Sequence, residues 1–459
     1  MSAYTTTQRW VLGLASLAAF MAGLDLLAVS TALTTIRADL GASLEELEWT
    51  VNGFNLSLAM LLLPAAVLGD RYGRRRLFAA GLALFTVASA ACVLAPDVGW
   101  LIGARVVQGA GAAFVVSLGL SLVSAGFPAA GRGAAIGILE GLTGVALVAG
   151  PVVGGAITAG ISWEWIFWLN VPIGLVAVPL ALTRIRESRA EHGARLDLAG
   201  VALVTGAALG VVWGLVRGNV AGWESLEVLG ALGGGLVLLA AFVGWELRAR
   251  APMLPMGHFR RRAFSVGNAA TVMQFASTLG VVFFLAQFLQ AAMGYSPLQA
   301  GLAIAPWTAT LFFVAPLAGA LTDRIGGRPL AVGGLLVQAA GMAWVALIAE
   351  PGLAYGALVV PLVLGGIGAS AAIPAMQTTV IGAVAPDAVG QAAGTNALMR
   401  ELGGVLGIAG LVAVFGAAGS YASPAAFSDG FVAALAAASA LALAGALTSV
   451  ALPGRRLCA

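Results

Sequence analysis

Apolar runs of about twenty residues, separated by short polar turns, recur along the whole chain. They lie near 10–32, 48–69, 77–96, 99–124, 133–158, 165–183, 198–217, 228–246, 266–290, 299–321, 329–349, 353–376, 389–416 and 430–452. Each is long enough, as a helix, to cross roughly 30 Å of hydrocarbon, so fourteen transmembrane helices are predicted. Stretches such as 353–376 show no apolar–polar alternation, which a lipid-facing β-barrel would require. Lipid cannot satisfy open backbone N–H and C=O groups, so helices that close their own hydrogen bonds are the expected element. The expected fold class is an all-α polytopic membrane protein.

Composition sharpens this picture. Of 459 residues, 60% are hydrophobic and 9% charged, where a soluble domain carries about 25% charged residues. The 63 glycines sit inside the apolar runs, where small residues let helix backbones approach closely. The first run, from near Trp10, contains Asp25 and no A-x-A-type cleavage site; it reads as a first span rather than a removed signal.

The basic residues are 23 arginines and no lysine. With the N-terminus inside, 19 of the 23 fall in cytoplasmic turns, including Arg9, Arg74, Arg132, Arg195, Arg250, Arg328, Arg455 and Arg456. Arg37 and Arg217 fall outside, and Arg105 and Arg400 lie within spans. That sorting follows the positive-inside rule and places both termini in the cytoplasm; the all-Arg, Gly/Ala-rich composition points to a bacterial host, and so to its inner membrane. Segment 254–262 can also lie on the membrane surface among anionic headgroups, or serve only as a topology anchor.

Several chemistries find no support. A net charge of +3 spread over turns does not suit nucleic acid. Cys92 and Cys458 form no disulfide framework or metal spacing, and His192 and His258 lie in cytoplasmic loops. No Walker sequence, H-E-x-x-H or strand-linked GxGxxG occurs. No cofactor, metal or ATP is therefore expected, and the chain does not read as an enzyme.

An internal repeat is visible. Asp70-Arg71-Tyr72-Gly73 ends the second span, and Asp323-Arg324-Ile325-Gly326 ends the tenth in the same topological setting. One copy would suggest a stable loop; two copies closing matched helical arrays suggest the paired halves of a secondary transporter.

Further motifs cluster in particular spans. Arg105-Val106-Val107-Gln108-Gly109-Ala110-Gly111-Ala112 opens the fourth, and Gly150-Pro151-Val152-Val153-Gly154-Gly155 lies in the fifth. Trp163, Trp165, Phe167, Asn170, Pro172 and Gly174 open the sixth, Pro252 and Phe259 precede the ninth, and Gly394, Asn396, Arg400, Gly403 and Gly404 mark the thirteenth. With the loop Ala66-x-Leu68-Gly69-Asp70-Arg71-x-Gly73-Arg74-Arg75, these resemble the major facilitator superfamily, specifically its fourteen-span drug/proton antiporter branch (EmrB/QacA-like). Departures are Ala66 and Gly69 in the loop, Glu164 where arginine is common, and Glu401 where glutamine is more usual.

The resemblance implies a major facilitator fold of two six-helix bundles plus two intervening helices. The corresponding parts are an N-terminal bundle over 1–184, two additional spans with linkers over 185–263, and a C-terminal bundle over 264–459. It implies a proton-coupled antiporter that exports amphiphilic drugs or antibiotics by alternating access. Asp70, Arg71, Gly73, Arg74, Asp323, Arg324 and Gly326 would form conformational latches, and Gly150, Pro151, Gly154 and Gly155 the antiporter motif. Export or facilitated movement of one endogenous metabolite, or a receptor or scaffold without transport, are the alternatives. The expected partners are the lipid bilayer, protons and an amphiphilic small molecule.

Ionisable groups inside spans are costly in hydrocarbon and mark candidate sites. At 1.5 Å per residue, Asp25 lies roughly 10 Å deep and Arg105 roughly 8 Å, so the two can meet. Burial favours the neutral acid of Asp25 and a nearby guanidinium its carboxylate, a balance suited to carrying a proton; a permanent structural ion pair is the alternative. Glu140 is a second proton-coupling candidate on span five. Asn52, Asn55, Gln108, Gln274, Gln287, Gln377, Asn396, Arg400 and Glu401 are candidates for a substrate cavity or for interhelical hydrogen bonds. Arg400 and Glu401 point about 100° apart on a helix, so they are expected to be poor direct partners. Small-residue faces at Gly137/Gly141, Gly150/Gly154 and Gly403/Gly407 are expected to permit close helix crossings.

Overall fold

The computed structural model describes residues 4–127, 129–189, 197–249, 252, 254, 256–384 and 389–454, without the side chains of 63, 129–134, 136–137, 140, 147–148, 323 and 389–391. The side chains of Arg132, Gly137's neighbourhood, Glu140 and Asp323, and residues His192, Arg195, Arg250, Arg455, Arg456 and Cys458, therefore lie outside the described set.

Among the described residues the chain is helical throughout. In order come α1 (Thr6–Leu40), α2 (Leu44–Tyr72), α3 (Arg74–Val93), α4 (Val98–Gly126), α5 (Ala129–Gly160), the short α6 (Trp165–Trp168) and α7 (Asn170–Arg184). Then follow α8 (Leu198–Ala221), α9 (Leu226–Glu246), a 3-10 turn (Met256–Arg260), α10 (Arg262–Ala291), α11 (Pro297–Ile325), α12 (Gly327–Ile348), α13 (Tyr355–Ile381), α14 (Val389–Ala418) and α15 (Pro424–Ser449). Among the described residues thirteen helices are long and apolar enough to cross a membrane, with α6 and α7 taken as one; α2, bent by 48° at Pro64, brings the number to fourteen.

The helices begin and end where the chemistry of the turns dictates. Thr5 with Gln8, Ser43 with Glu46 and Ser296 with Gln299 form capping boxes, which satisfy orphan N–H donors at helix starts. These caps lie beyond the apolar runs, so several helices are longer than hydropathy suggests. The first span, read over 10–32, belongs to a helix of 35 residues.

The two Asp-Arg-x-Gly copies end their helices in the same manner. Gly73 has φ of 117° and Gly326 φ of 87°, a region that side chains disfavour. Each glycine N–H donates to the carbonyl four residues earlier, Gly69 and Thr322, at 2.9 Å. A new helix starts within a residue of each glycine, so the turn is as tight as an α-helical hairpin allows.

The chain divides into two compact units, Met1–Val201 and Ala202–Ala459. In the first, α1 packs on α5 and α4, α2 on α4, and α3 on α4 and α7. In the second, α10 packs on α14 and α13, α11 on α13, and α12 on α13 and α15. Matching α1–α5 to α10–α14 in order reproduces the same neighbour pairs, so the sequence repeat extends to the packing. Helices α8 and α9 meet through Gly210, Gly214 and Gly235, whose Cα positions approach the facing helix closely.

Polarity is arranged for a lipid solvent. Leu175, Val176, Leu236, Val237, Leu317 and Leu347 stand exposed, while Asp25, Glu48, Asn52, Arg105 and Gln274 are buried. In water such an apolar surface would aggregate.

Candidate functional site

Five helices of the first unit converge on one carboxylate. Asp25, from the middle of α1, is fully buried, as are Arg105 and Gln108 of α4. Arg105 and Gln108 are three residues apart, so they share one face of α4. Arg105 Nη1 donates to Asp25 Oδ2 and, at 2.7 Å, to Gln108 Oε1. Gln108 Nε2 donates to Asp25 Oδ1 at 3.0 Å and to Ser89 Oγ of α3 at 2.9 Å. Asn170 Nδ2, at the start of α7, reaches Asp25 Oδ1 at 3.3 Å. The carboxylate thus accepts from three side chains.

The guanidinium is held as firmly. Arg105 Nε donates to the Thr50 carbonyl of α2 at 3.2 Å. Its carbon lies 4.2 Å from the centre of the Phe54 ring and 5.6 Å from that of Phe167, a favourable placement for a cation over an aromatic face. Nη2 has no acceptor. A buried pair of this kind gains little net stability over apolar packing, but removing one member strands the other.

The Gly-Pro motif sets the position of Asp25 from behind. A Cβ on Gly150 would lie 2.9 Å from Leu27 Cβ, and one on Gly154 only 2.5 Å from the Ala28 carbonyl oxygen. The glycines therefore let α5 press against the turn of α1 that follows Asp25. Gly155 is buried beside them. On α14, Gly403 approaches Val272 and Gly407 approaches Ala276 of α10 in the same way. Gly141 departs from the expectation: it lies on an exposed face of α5, and a Cβ there would meet nothing within 4 Å.

In the second unit the candidates separate. Gln274 Nε2 donates to the Ala369 carbonyl at 2.9 Å, and Asn396 Nδ2 bonds Asn268 Oδ1 and Thr271 Oγ1, each at 3.1 Å. Gln287 accepts from the Tyr421 hydroxyl and donates to the Phe283 carbonyl. These three are buried in helix–helix contacts, whereas Gln377 is exposed. Arg400 Nε donates to Glu401 Oε1 at 3.1 Å, which corrects the expectation that adjacent residues make poor partners. The 100° rule describes where the Cβ bonds point; an arginine has enough rotatable bonds to curl back across that angle. Arg400 also lies over the Phe275 ring.

At the Asp70 turn, Arg74 Nε bonds Asp70 Oδ1 at 2.7 Å, and Arg71 stands exposed against Tyr72. Glu187, beyond α7, accepts from the Arg75 backbone N–H at 3.0 Å and faces the Arg75 and Arg76 guanidinium groups at 3.6 Å. Arg324 is exposed in the second copy.

Sequence reasoning did not single out Ser89, Phe54, Phe167 or Asn170 as site members, although the last two stand in a quoted motif. It also passed over Glu48, a fully buried carboxylate on α2 that accepts from Asn52 Nδ2 at 3.1 Å. Asn55 is buried on the same helix.

Two related helical units, apolar outside, with a buried, multiply bonded carboxylate in the first, have the build of a membrane transporter. The sequence profile of the Major Facilitator Superfamily matches residues 15–408 and 267–456. The Tetracenomycin C resistance and export protein of Streptomyces glaucescens is 35% identical over 391 residues, covering 85% of this chain and 72% of the relative. The Cephamycin export protein CmcT of Amycolatopsis lactamdurans is 34% identical over 439 residues, covering 93% and 90%. A crystal structure of the peptide transporter POT in complex with sulfate superposes with a TM-score of 0.70 at 15% identity, over 96% of this chain and 94% of that one. The chain belongs to the Major Facilitator Superfamily, in its branch related to multidrug and antibiotic export (the EmrB/QacA type). It is a secondary transporter of the alternating-access kind.

Proposed function

We propose that this protein is a proton-coupled antiporter that exports amphiphilic drugs or antibiotics across a bacterial inner membrane, with both termini cytoplasmic. The observation that carries the reading is Asp25, fully buried yet bonded by Arg105, Gln108 and Asn170. Protonation removes the charge that holds Arg105, while Gln108 and Asn170 still have an oxygen to donate to. The guanidinium is then free to shift along Thr50 and Phe54, so one proton changes the ties among α1, α2 and α4. A charge moved down the membrane potential supplies about 2.3 kcal/mol per 100 mV.

The names of the two exporters support an antibiotic as cargo, and the apolar composition suits an amphiphilic one. Glu140 stays a second proton-coupling candidate. For cargo contact we assign Gln377 and Arg400, which are open as they stand, with Glu401 beside them; Asn52 and Asn55 are secondary. The division into bundles over 1–184 and 264–459 with two inserted spans over 185–263 is likewise our reading, supported by the repeated neighbour pairs. So is a latch role for the Asp70 and Asp323 turns.

Asp25→Asn, reconstituted in proteoliposomes, is expected to lose pH-gradient-driven antibiotic transport while still exchanging labelled cargo across the membrane without a gradient. Full gradient-driven transport by the variant would refute coupling at Asp25. Orientation has its own check. After Cys92→Ala and Cys458→Ala, a cysteine replacing Arg76 should react with a membrane-impermeant maleimide only in inside-out vesicles; labelling in intact cells would invert the topology.

A further inference from the structure

Glu48 lies four residues into α2 from its first residue, Leu44, and has no exposed surface. Asn52 Nδ2 bonds its Oε1 at 3.1 Å. Its Oε2 has no donor, and neither have the buried oxygens Oδ1 of Asn52 and Oδ1 of Asn55. At 100° per residue the three side chains fall within about 60° of one another on the helix. They lie opposite Gly53 and Phe54, which touch Val106 and Gly109 of α4. The stripe is therefore distinct from the Asp25–Arg105 site, on the other side of the same helix.

Three orphan acceptors on one stripe want a donor or a cation. No arginine or histidine among the described residues pairs with Glu48. The charged neighbours on its own helix are Glu45 and Glu46, of the same sign, and Glu46 is turned to the Ser43 N–H. On α4 and α1, which pack against α2, Arg105 and Asp25 are taken up with each other. At the far end of α1, Asp39 accepts from Trp163, and Arg37 has contacts of its own. The arginines of α3 begin at the opposite end of α2. An ionised carboxylate left here with one hydrogen bond is costly. One proton on Oε2 removes the charge and converts an orphan acceptor into an O–H donor, for which Asn52 Oδ1, itself without a donor, is the adjacent acceptor.

We propose that Glu48 is a second proton-binding carboxylate, loaded separately from Asp25, with the Asn52 amide as its hydrogen-bonding partner. Its use in transport rests on the proton-coupled reading above; its binding of a proton does not.

Infrared difference spectra between acidic and alkaline buffer, recorded on the full chain in lipid, test this directly. A protonated-carboxyl C=O band is expected that moves when glutamate is isotopically labelled, vanishes in Glu48→Gln and persists in Asp25→Asn. In Glu48→Asp a titrating band should return but no longer respond to the glutamate label. Spectra of Glu48→Gln that superimpose on those of the natural chain would overturn the proposal. So would loss of the band when sodium replaces choline at constant pH, since the stripe would then be a metal-cation site. Should Glu48→Gln fail to fold, the labelled natural chain decides: no glutamate-sensitive band means no proton on Glu48. Failure here leaves the Asp25→Asn transport result untouched, and the reverse also holds.

Discussion

Arg105→Met should destabilise the folded protein by about 3–5 kcal/mol, the range found when one partner of a buried ion pair is removed. The variant strands the Asp25 carboxylate with only Gln108 and Asn170 as donors, frees the Thr50 carbonyl, and takes the cation from above Phe54. The double variant Asp25→Leu, Arg105→Met should recover most of that loss, because apolar replacement of a buried pair is often neutral or stabilising. Unfolding in mixed detergent micelles measures both. Both should be inactive in gradient-driven transport, so stability and activity part company in the double variant. If the single variant unfolds like the natural chain, the pair is not what ties α1, α2 and α4 together.

Gly154→Leu is the second change with a large expected effect. A Cβ at this position would lie 2.5 Å from the Ala28 carbonyl oxygen, 2.7 Å from Ala28 Cα and 2.7 Å from Thr31 Oγ1. Two of those atoms are backbone, so α5 must move away from α1. Overpacking of this sort costs about 1–3 kcal/mol, and the shift falls on the turn following Asp25, so transport should fall as well. Gly407→Leu should behave alike, since its Cβ would lie 2.2 Å from Ala276 backbone atoms. Gly141→Leu serves as the control: with nothing within 4 Å, it should leave both stability and transport near their natural values. A Gly154→Leu protein as stable and active as that control would show that the α1–α5 contact is not needed in the form described.

Much of the architecture was readable beforehand because lipid imposes so few options. Run length gave the spans, arginine placement suggested an orientation, and two Asp-Arg-x-Gly turns announced the repeated packing. Asp25 and Arg105 stood out because a charge inside an apolar run is expensive enough to be conspicuous. Asn170, which donates to Asp25, and Ser89, which accepts from Gln108, carry no charge, and such residues are common near helix ends, so nothing marked them as members of the site. Glu48 was hidden by its neighbours. Beside Glu45 and Glu46 it looks like part of an acidic helix start, and Glu46 does serve that purpose through Ser43; only packing reveals that the third carboxylate is buried. Helix ends were misjudged for a related reason, since caps continue the helix into polar sequence where hydropathy has already fallen.

The crossing of α1 and α5 also limits how this protein can repair itself genetically. A bulky residue at Gly154 collides with the main chain of Ala28, so trimming Ala28 to glycine would not clear its carbonyl oxygen. Selection for revertants of such a variant should therefore return true reversions or changes that shift a whole helix, and not compensating substitutions at the touching residue.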